Sequence, residues 1–345
     1  MNIAWVYTKG RPEGWTSRPH FGGSEGSMVR YADAFVQLGH KVSIHTPEVE
    51  PCWRAGVQWL DADAGLYRRG QDVVIALRFP NTLEEVDAPV RVLYCCDPAI
   101  PELPEYANAG YVNLVITISQ HQKDRFQAQH PIDESLYFVS NAGVSLADYA
   151  RTDIEKVRGR CIYCSVPDRG LKDLVEIWPL VHKELPWATL HVTGGFELWG
   201  LDVPLSSQPA LEKLLTLDGA TYLGVVSREE LVREQLESEV LLLPGNPNSP
   251  EMCCISAMEC AAARNALIVG RVGALPERVS NLYTGVSVPR TDTLDWRQVF
   301  AECATWALTT DRLPEMQYLA SQEEIPHDYG ELAPQWLEKF KERMA

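Results

Sequence analysis

The sequence predicts an α/β protein with two facing Rossmann-like, doubly wound domains and a cleft between them. Short, apolar, β-branched segments alternate with helical patterns along the 345 residues. Such an alternation is typical of parallel sheets that helices cover on both faces. It also restarts near the middle of the chain, whose length exceeds what one hydrophobic core usually serves. In open α/β sheets, ligands bind beyond the carboxyl ends of the strands, so we expect the functional site in the cleft.

The predicted strands form two series. The first series is NIAWVY, KVSIHT, DVVIAL, RVLYCC and NLVITIS, and the second is RCIYCS, ATLHVTGG, ATYLGVV, EVLLLPG and NALIVG. A polar segment with little strand signal, 143–158, separates them. We therefore predict an N-terminal domain over 1–150 and a C-terminal domain over 151–325. The amphipathic pattern of the last segment, 326–345, predicts a closing helix that packs back towards the N-terminal domain.

The composition predicts a cytoplasmic protein without integral membrane contact. Hydrophobic residues make up 46% of the chain and charged residues 23%, and the longest apolar runs are far too short to cross a bilayer. The start, MNIAWVYTKG, lacks the basic and then apolar organisation of a signal peptide. Without an export signal, the nine cysteines predict buried thiols. Cys161 and Cys164 lie along a strand with no second pair, which disfavours a zinc or redox role.

The net charge of −16 gives the chain no global attraction to nucleic acid or to an anionic membrane. The acidity therefore argues against a polynucleotide as a substrate. A local basic groove, and with it a nucleic-acid acceptor, stays an open alternative.

A pair of glycines follows the first predicted strand. Gly22 and Gly23 precede a helix that Ser24 or Glu25 can cap and that runs to about Leu38. Glycines allow a close backbone approach, and the N-terminus of a helix offers N–H groups to an anion. A simple tight turn explains the same pair equally well.

Two cations follow the first strand of the second series. Arg169 and Lys172 fall at the start of a predicted helix, where the helix dipole ordinarily disfavours positive charge. An anion such as a diphosphate, bound between these cations and the helix N-terminus, would account for them. The alternative is a solvated helix start.

Two glutamates lie eight residues apart around an apolar segment. Glu251 follows a strand and a proline-containing loop, while Glu259 falls within an apolar helix, where a carboxylate needs a partner. We expect Glu251 to point from the loop into the cleft and Glu259 to lie on the helix behind it. The N–H groups at the start of this helix should face the same space; they belong to Met252, Cys253, Cys254 and Ile255.

This ordered series resembles the retaining GT-B glycosyltransferases of glycosyltransferase family 4, whose signature is E-x7-E. Here the signature reads Glu251-MCCISAM-Glu259, and the resemblance covers nearly the whole chain. The other matching segments are GGSE, LGHKVSIHT, VITISQHQKDRF, SNAGVSLADY, VPDRGLKDLVEIWPLV and GALPERV.

The resemblance implies a role for each motif. Glu251 would contact hydroxyls of the donor sugar, and Glu259 would accept hydrogen bonds from the nucleotide ribose. Arg169 and Lys172 would hold the diphosphate, and the backbone near Val226 would contact the nucleobase. Residues of the other domain would close on the phosphate, namely Gly22, Gly23 and Ser24.

Three differences from the family pattern involve four positions. Tyr163 stands where a second cation is frequent, and Cys96, followed by Asp97, stands where a histidine commonly contacts the donor sugar. Arg264 and Ala266 replace a glycine and a proline. On the acceptor side, the candidates are Arg78, Cys96 and Asp97.

The resemblance implies a metal-independent, retaining transfer of a hexose from a nucleotide diphosphate sugar to an acceptor hydroxyl. UDP-glucose is the first choice of donor, no cofactor is expected, and the identity of the acceptor is open. In same-face attack a donor phosphate oxygen takes the acceptor proton, so no side-chain base is required; Asp97 is the residue to test for that role, beside Glu251 and Arg169 as catalytic candidates. A GT-B epimerase or hydrolase and a non-catalytic nucleotide-sugar binder are the alternatives.

Asp61 and Asp63 resemble the D-x-D of metal-dependent glycosyltransferases, but the pattern is more typical of a turn.

Overall fold

The computed structural model describes residues 1–8, 23–151, 153–291, 295–323 and 328–345. The chain divides into two compact units, Met1–Gly143 with His327–Ala345, and Val144–Pro326. The sequence predicts the boundary at 150, and the structure divides the chain at Gly143. Each unit is built on a largely parallel sheet with helices, and the predicted α/β fold with two Rossmann-like domains is confirmed.

The strands are numbered in chain order. They are β1 (Asn2–Val6), β2 (Lys41–Thr46), β3 (Cys52–Arg54), β4 (Val57–Asp61), β5 (Val73–Leu77), β6 (Val90–Tyr94), β7 (Leu114–Thr117), β8 (Tyr137–Val139), β9 (Arg160–Cys164), β10 (Thr189–Thr193), β11 (Ala220–Gly224), β12 (Val240–Leu243), β13 (Ala266–Gly270) and β14 (Gly285–Val288).

The helices are numbered in the same way. They are α1 (Gly23–Gln37), α2 (Leu103–Asn108), α3 (Gln120–Gln129), α4 (Leu171–Glu184), α5 (Pro209–Leu214), α6 (Arg228–Glu237), α7 (Ile255–Ala262), α8 (Trp296–Thr309), α9 (Leu313–Glu323) and α10 (Tyr329–Met344).

The sheet of the first unit has eight strands in the order β3-β4-β2-β1-β5-β6-β7-β8. Every pair is parallel except β3 with β4, which is antiparallel. The strand order reverses between β1 and β5, which pair directly. Ligands of doubly wound sheets bind beyond the carboxyl ends of such a strand pair.

Helix α10 belongs to the first unit although it ends the chain. Trp336 on this helix is fully buried, and its ring stacks on Tyr31 of α1 with a centroid distance of 4.0 Å. Its indole N–H donates to the hydroxyl oxygen of Ser140 at 2.6 Å. The apolar residues of α10 recur at helical spacing and form the buried face; they are Leu332, Ala333, Trp336, Leu337 and Phe340.

The sheet of the second unit has six parallel strands in the order β11-β10-β9-β12-β13-β14. In terms of position within the unit this is 3-2-1-4-5-6, the order of the dinucleotide-binding Rossmann fold. The switch point lies between β9 and β12, which pair only at Cys161 with Val240 and at Ile162 with Leu241. Because the pairing stops before either strand ends, the two strands leave room for side chains at their carboxyl ends.

Apolar strands form both cores, as the continuous runs in the sequence predict. All five residues of β5 and all four of β12 are completely buried. All nine cysteines lie in the described part of the chain, and none of them forms a disulfide. Cys161 and Cys164 lie along β9, and the sulfur of Cys164 is 3.6 Å from that of Cys260. Within the described residues, no helix is both long enough and apolar enough to span a membrane.

Candidate functional site

The second unit brings together the loops that follow β9 and β12. After β9 the chain turns through Pro167–Arg169 and reaches Gly170, whose φ of +113° is unfavourable for any residue with a side chain. A Cβ atom on Gly170 would lie 2.7 Å from the backbone nitrogen of Gly245. Glycine is therefore required for the close contact that places Arg169 beside the loop after β12.

Arg169 contacts the loop that carries Glu251. Its Nη1 donates to the hydroxyl of Ser249 at 2.9 Å, to the carbonyl of Pro250 at 3.1 Å and to the carbonyl of Ser249. Its Nε lies 3.6 Å from Oε1 of Glu251. The guanidinium thus holds the loop in place and partly compensates the charge of Glu251, whose side chain is only 14% exposed.

The backbone of Glu251 is also fixed from the loop after β13. The amide of Ala274 donates to the carbonyl of Glu251 at 2.8 Å. Gly273 has a φ of +59°, and a Cβ there would lie 2.3 Å from the same carbonyl oxygen. Burial raises the pKa of the Glu251 carboxyl, and Arg169 opposes that shift. The backbone of Glu251 is therefore fixed, and its carboxylate lies in a partly desolvated position beside Arg169.

Helix α7 begins four residues after Glu251. Cys254 precedes the helix with a φ of +66°, a left-handed conformation that costs a residue with a side chain roughly 1–2 kcal/mol. Among the described side chains none caps this N-terminus, which leaves N–H groups of the first turn for another acceptor. Met252, Cys253 and Cys254 are buried, and Ile255 is partly exposed.

Glu259 lies on α7 and is engaged through both carboxylate oxygens. Arg228 Nη1 lies 2.6 Å from Oε1, and Gln235 Nε2 donates to Oε2 at 3.4 Å. Sequence reasoning missed both partners. One signal in the sequence could have identified Arg228: it is a cation at the first position of α6, only two residues after Val226. A cation near the start of a helix also singled out Arg169.

Val226 and Lys172 lie near the starts of two helices of the second unit. Val226 is partly exposed between β11 and the start of α6, where the hydroxyl of Ser227 accepts from the amide of Glu230 at 3.2 Å. Lys172 is exposed in the first turn of α4. Tyr163, at the position of the expected second cation, is fully buried, and its hydroxyl donates to the carbonyl of Val166 at 2.7 Å. That position therefore has a structural role in this chain.

The first unit places Arg78 at its own switch point. Arg78 directly follows β5 and has a φ of +72°. Its Nη2 donates to the hydroxyl of Ser24 at 2.8 Å, its Nη1 lies 3.7 Å from Glu25, and its Nε lies 3.3 Å from Oδ2 of Asp97. Arg78 therefore joins the start of α1 to the residues after β6. Gly23 is the first residue of α1, and Gly22 lies outside the described residues.

Cys96 and Asp97 differ in their chemistry. Burial raises the pKa of the Cys96 thiol to about 12, with Arg78 opposing the shift, so the thiol is neutral at physiological pH. Burial also raises the pKa of Asp97, again with Arg78 opposing it. Arg78 and Asp97 line a cavity of about 300 Å³ together with Phe79, Glu102 and Tyr106. Of the three candidates on the acceptor side, two therefore line one cavity.

Asp61 and Asp63 form a turn. The carboxylate of Asp61 accepts the amide of Asp63 at 3.1 Å and caps a short 3-10 helix over Ala62–Ala64. In the described ranges, no three His, Cys, Asp or Glu side chains are grouped so that they could hold a metal ion.

Comparison with known proteins places the chain among glycosyltransferase folds. No protein-family model matches the chain. It is 25% identical over 261 residues to D-inositol 3-phosphate glycosyltransferase of Mycobacteroides abscessus, which covers 71% of this chain and 56% of that protein. The chain thus spans little more than half the length of this curated relative.

Two solved structures share the fold along almost the whole chain. Sucrose-phosphate synthase from Thermosynechococcus elongatus has a TM-score of 0.74 at 13% identity and covers 99% of this chain and 98% of its own. HepE of Anabaena, solved in complex with UDP-glucose, has a TM-score of 0.73 at 14% identity and covers 99% of this chain and 100% of its own. This chain therefore has the GT-B fold and is similar in sequence to D-inositol 3-phosphate glycosyltransferases.

Proposed function

We propose that the protein is a retaining glycosyltransferase that moves a hexose from a nucleotide diphosphate sugar to an acceptor hydroxyl. The observation that carries the proposal is the placement of Arg169 and Glu251 after β9 and β12, the two strands at the switch point of the second unit. This is where a doubly wound sheet binds a nucleotide. Glu259, eight residues beyond Glu251, completes the E-x7-E pattern on α7.

The donor site supplies a fixed electrostatic field for the leaving diphosphate. As the bond to the sugar breaks, negative charge develops on the diphosphate, and preorganised cations and N–H groups stabilise it. Arg169, the exposed Lys172 and the uncapped start of α7 are suited to this task. We therefore propose transfer that needs no divalent metal, with Glu251 on the hydroxyls of the reacting sugar.

The names of the similar proteins support transfer over the alternatives. The curated relative is named as a glycosyltransferase, and HepE was solved with UDP-glucose. They favour UDP-glucose as the first donor to test, and they favour sugar transfer over an epimerase, a hydrolase or a non-catalytic binder. The predicted cytoplasmic location stays a prediction.

The first unit is the proposed acceptor side. The cavity beside Arg78 has the volume of a small ligand pocket, and its carboxylates can accept hydrogen bonds from hydroxyl groups. Asp97 is 38% exposed at its side chain, so an acceptor hydroxyl can reach it.

The deciding experiment is a donor screen followed by an acceptor screen. Release of UDP, GDP or ADP from a panel of their sugars identifies the donor, and polyols and sugars are then offered with the best one. Product with the anomeric configuration of the donor, read by NMR, supports retaining transfer. Inverted product contradicts the retaining assignment. Hydrolysis or epimerisation without transfer to any acceptor supports the epimerase or hydrolase alternative. Nucleotide-sugar binding without turnover supports a non-catalytic binder.

Glu259→Ala is expected to weaken the binding of UDP by about one to two orders of magnitude. Hydrogen bonds to a charged group are worth roughly 1.5–3 kcal/mol, and about 1.4 kcal/mol corresponds to tenfold in affinity. Isothermal calorimetry with UDP measures the change. Glu237→Ala on α6, which removes a carboxylate paired with Arg160, is the matched control and should bind UDP normally. Unchanged affinity in Glu259→Ala would make Glu259 a structural carboxylate.

Asp97→Asn is expected to raise the KM for the acceptor about tenfold while leaving the affinity for UDP unchanged. The physical reason is the loss of one charge-assisted hydrogen bond to an acceptor hydroxyl. Steady-state kinetics separates KM from kcat. A fall of kcat by more than about a hundredfold, the size expected for a general base, would instead identify Asp97 as the base and overturn proton transfer to the donor phosphate.

A further inference from the structure

Arg228 is the residue that connects Glu259 to the rest of the second unit. It occupies the first position of α6, where the helix dipole makes a positive charge unfavourable. Its Nη1 lies 2.6 Å from Oε1 of Glu259, a distance typical of a strong charge-assisted hydrogen bond. The contact to Glu259 therefore offsets a placement that the helix alone would disfavour.

Arg228 is itself held by the segment that begins the second unit. Its Nε and Nη2 donate to Oδ2 of Asp148 at 3.2 and 3.0 Å, and Nη2 also donates to the hydroxyl of Tyr149 at 3.1 Å. Tyr149 donates to Oε1 of Gln235 at 2.7 Å, and the amide of Gln235 returns to Oε2 of Glu259 at 3.4 Å. The contacts form a closed ring, so both oxygens of Glu259 have a fixed direction.

Near neutral pH Arg228 stays charged and Tyr149 stays neutral. Burial alone would lower the pKa of Arg228, but Glu259, Tyr149 and Asp148 outweigh it and the pKa is raised. Burial, reinforced by Glu259, raises the pKa of Tyr149 well above its ordinary value, so its hydroxyl stays protonated and can donate. Because Glu259 is only 12% exposed at its side chain, its orientation is set by these partners more than by water.

We propose that Arg228 is a positioning residue that orients the Glu259 carboxylate towards the ribose hydroxyls and thereby sets a preference for ribonucleotides. The proposal rests on the proposed function, which places the nucleotide ribose at Glu259. A carboxylate has about four lone-pair sites, and Arg228 and Gln235 use one on each oxygen. The remaining sites can accept the two ribose hydroxyls in fixed directions. A site that hydrogen-bonds a hydroxyl discriminates strongly against a ligand without it, because its polar group is then left unpaired.

The test compares UDP with 2′,3′-dideoxyuridine diphosphate by calorimetry. Wild-type protein should bind UDP more tightly than the dideoxy compound. In Arg228→Met, which keeps length but removes charge, the Kd for UDP should rise about tenfold, while the Kd for the dideoxy compound stays within about twofold. The exposed Arg233 on the same helix provides the control, and Arg233→Met should change neither affinity.

Two further variants separate positioning from folding. In a Glu259→Gln background, Arg228→Met should cause no additional loss of UDP affinity, because its effect passes through the carboxylate. Arg228→Lys keeps the charge without the fixed fork of donors, and it should lose less discrimination than Arg228→Met. If Arg228→Met melts below the assay temperature, the two nucleotides are compared in Arg228→Lys instead. The affinity for UDP should then fall by less than in Arg228→Met, and the affinity for the dideoxy compound should not change.

The outcomes distinguish a failure of the proposed role of Arg228 from a failure of the proposed function. Equal losses for UDP and for the dideoxy compound, or a loss that persists in the Glu259→Gln background, would overturn the role of Arg228 and leave the proposed function standing. Equal binding of the two nucleotides by wild-type protein would overturn the contact of Glu259 with ribose, and the inference with it. Binding of neither nucleotide would contradict UDP as part of the donor and remove the basis of both proposals.

Discussion

Glu251→Gln is expected to reduce the rate of sugar transfer by about two to three orders of magnitude while leaving the fold intact. The substitution keeps the size of the side chain and removes its charge. In the structure the Nε of Arg169 lies 3.6 Å from the carboxylate of Glu251, and the amide of Ala274 fixes the backbone of the same residue by donating to its carbonyl oxygen at 2.8 Å. A carboxylate on a fixed backbone can hydrogen-bond the reacting sugar with little reorganisation. The neutral side-chain amide of the glutamine variant would lose most of that stabilisation.

Although its rate falls, the Glu251→Gln variant should be at least as stable as wild-type protein. Burial raises the pKa of Glu251 in the folded protein, so the native state binds a proton more tightly than the unfolded chain. Stability from this group therefore falls as pH rises through the unfolded and then the folded pKa, because ionising the buried carboxyl carries a desolvation cost. Glutamine removes that cost, so the melting temperature at pH 7 should be equal to or higher than that of wild-type protein.

The pH profile gives a second readout of the same carboxylate. Because its pKa is raised, Glu251 gains a proton at a higher pH than an ordinary glutamate does. As pH falls, kcat/KM of wild-type protein should therefore decline earlier than an unperturbed glutamate would allow. Glu176→Gln, which changes an exposed glutamate paired with Lys213, should reproduce the wild-type rate and profile. Near-wild-type turnover in Glu251→Gln would contradict its contact with the reacting sugar.

The fold could be predicted from the sequence because its buried strands are continuous apolar runs. The ten predicted strands correspond to ten strands in the two sheets, whereas β3, β4, β8 and β14 were not identified as strands. Strands β3 and β8 have three residues each and are partly exposed, so neither carries a long apolar run. Strand β14 begins at Gly285, a residue with weak strand preference.

The candidate site was predictable only where the fold fixes it. Arg169 and Glu251 follow strands, and parallel strands at a switch point bring such residues together whatever the rest of the sequence contains. The partners of Glu259 depend instead on how α6 and α7 pack, which no local pattern encodes. In the same way Arg78 contacts Ser24 across 54 residues of sequence, and its left-handed backbone has no signature in the sequence.

Arg169→Ala is expected to reduce turnover at least about a hundredfold, because the residue combines two roles. As a cation it is the proposed partner of the leaving diphosphate. As a donor it fixes loop 249–251 through the hydroxyl of Ser249 and the carbonyl of Pro250. Its loss also leaves the buried charge of Glu251 without that partner, which is destabilising in itself. Steady-state kinetics together with thermal melting measures both effects.

Two variants divide these roles. Arg169→Lys keeps the charge but loses the fork of donors, so it should recover part of the rate if charge on the diphosphate dominates. Ser249→Ala removes one contact of Arg169 with the loop and keeps the guanidinium. A rate in Ser249→Ala as low as that of Arg169→Ala would assign the effect to the loop and contradict a direct contact of Arg169 with the diphosphate.

Arg169 also decides between the two ways of neutralising a leaving diphosphate. One is a divalent cation held by converging oxygen ligands, and the other is a fixed field of cations and helix-terminal N–H groups. If a fixed field of cations and N–H groups neutralises the diphosphate, wild-type turnover should be unchanged in excess EDTA. The Arg169→Ala variant should stay impaired with or without added Mn²⁺. Turnover that EDTA abolishes, that Mn²⁺ restores and that requires Asp61 and Asp63 would overturn this mechanism. Such a result would require the carboxylate of Asp61 to exchange its hydrogen bond with the amide of Asp63 for a metal ion, and the 3-10 turn that it caps would have to open.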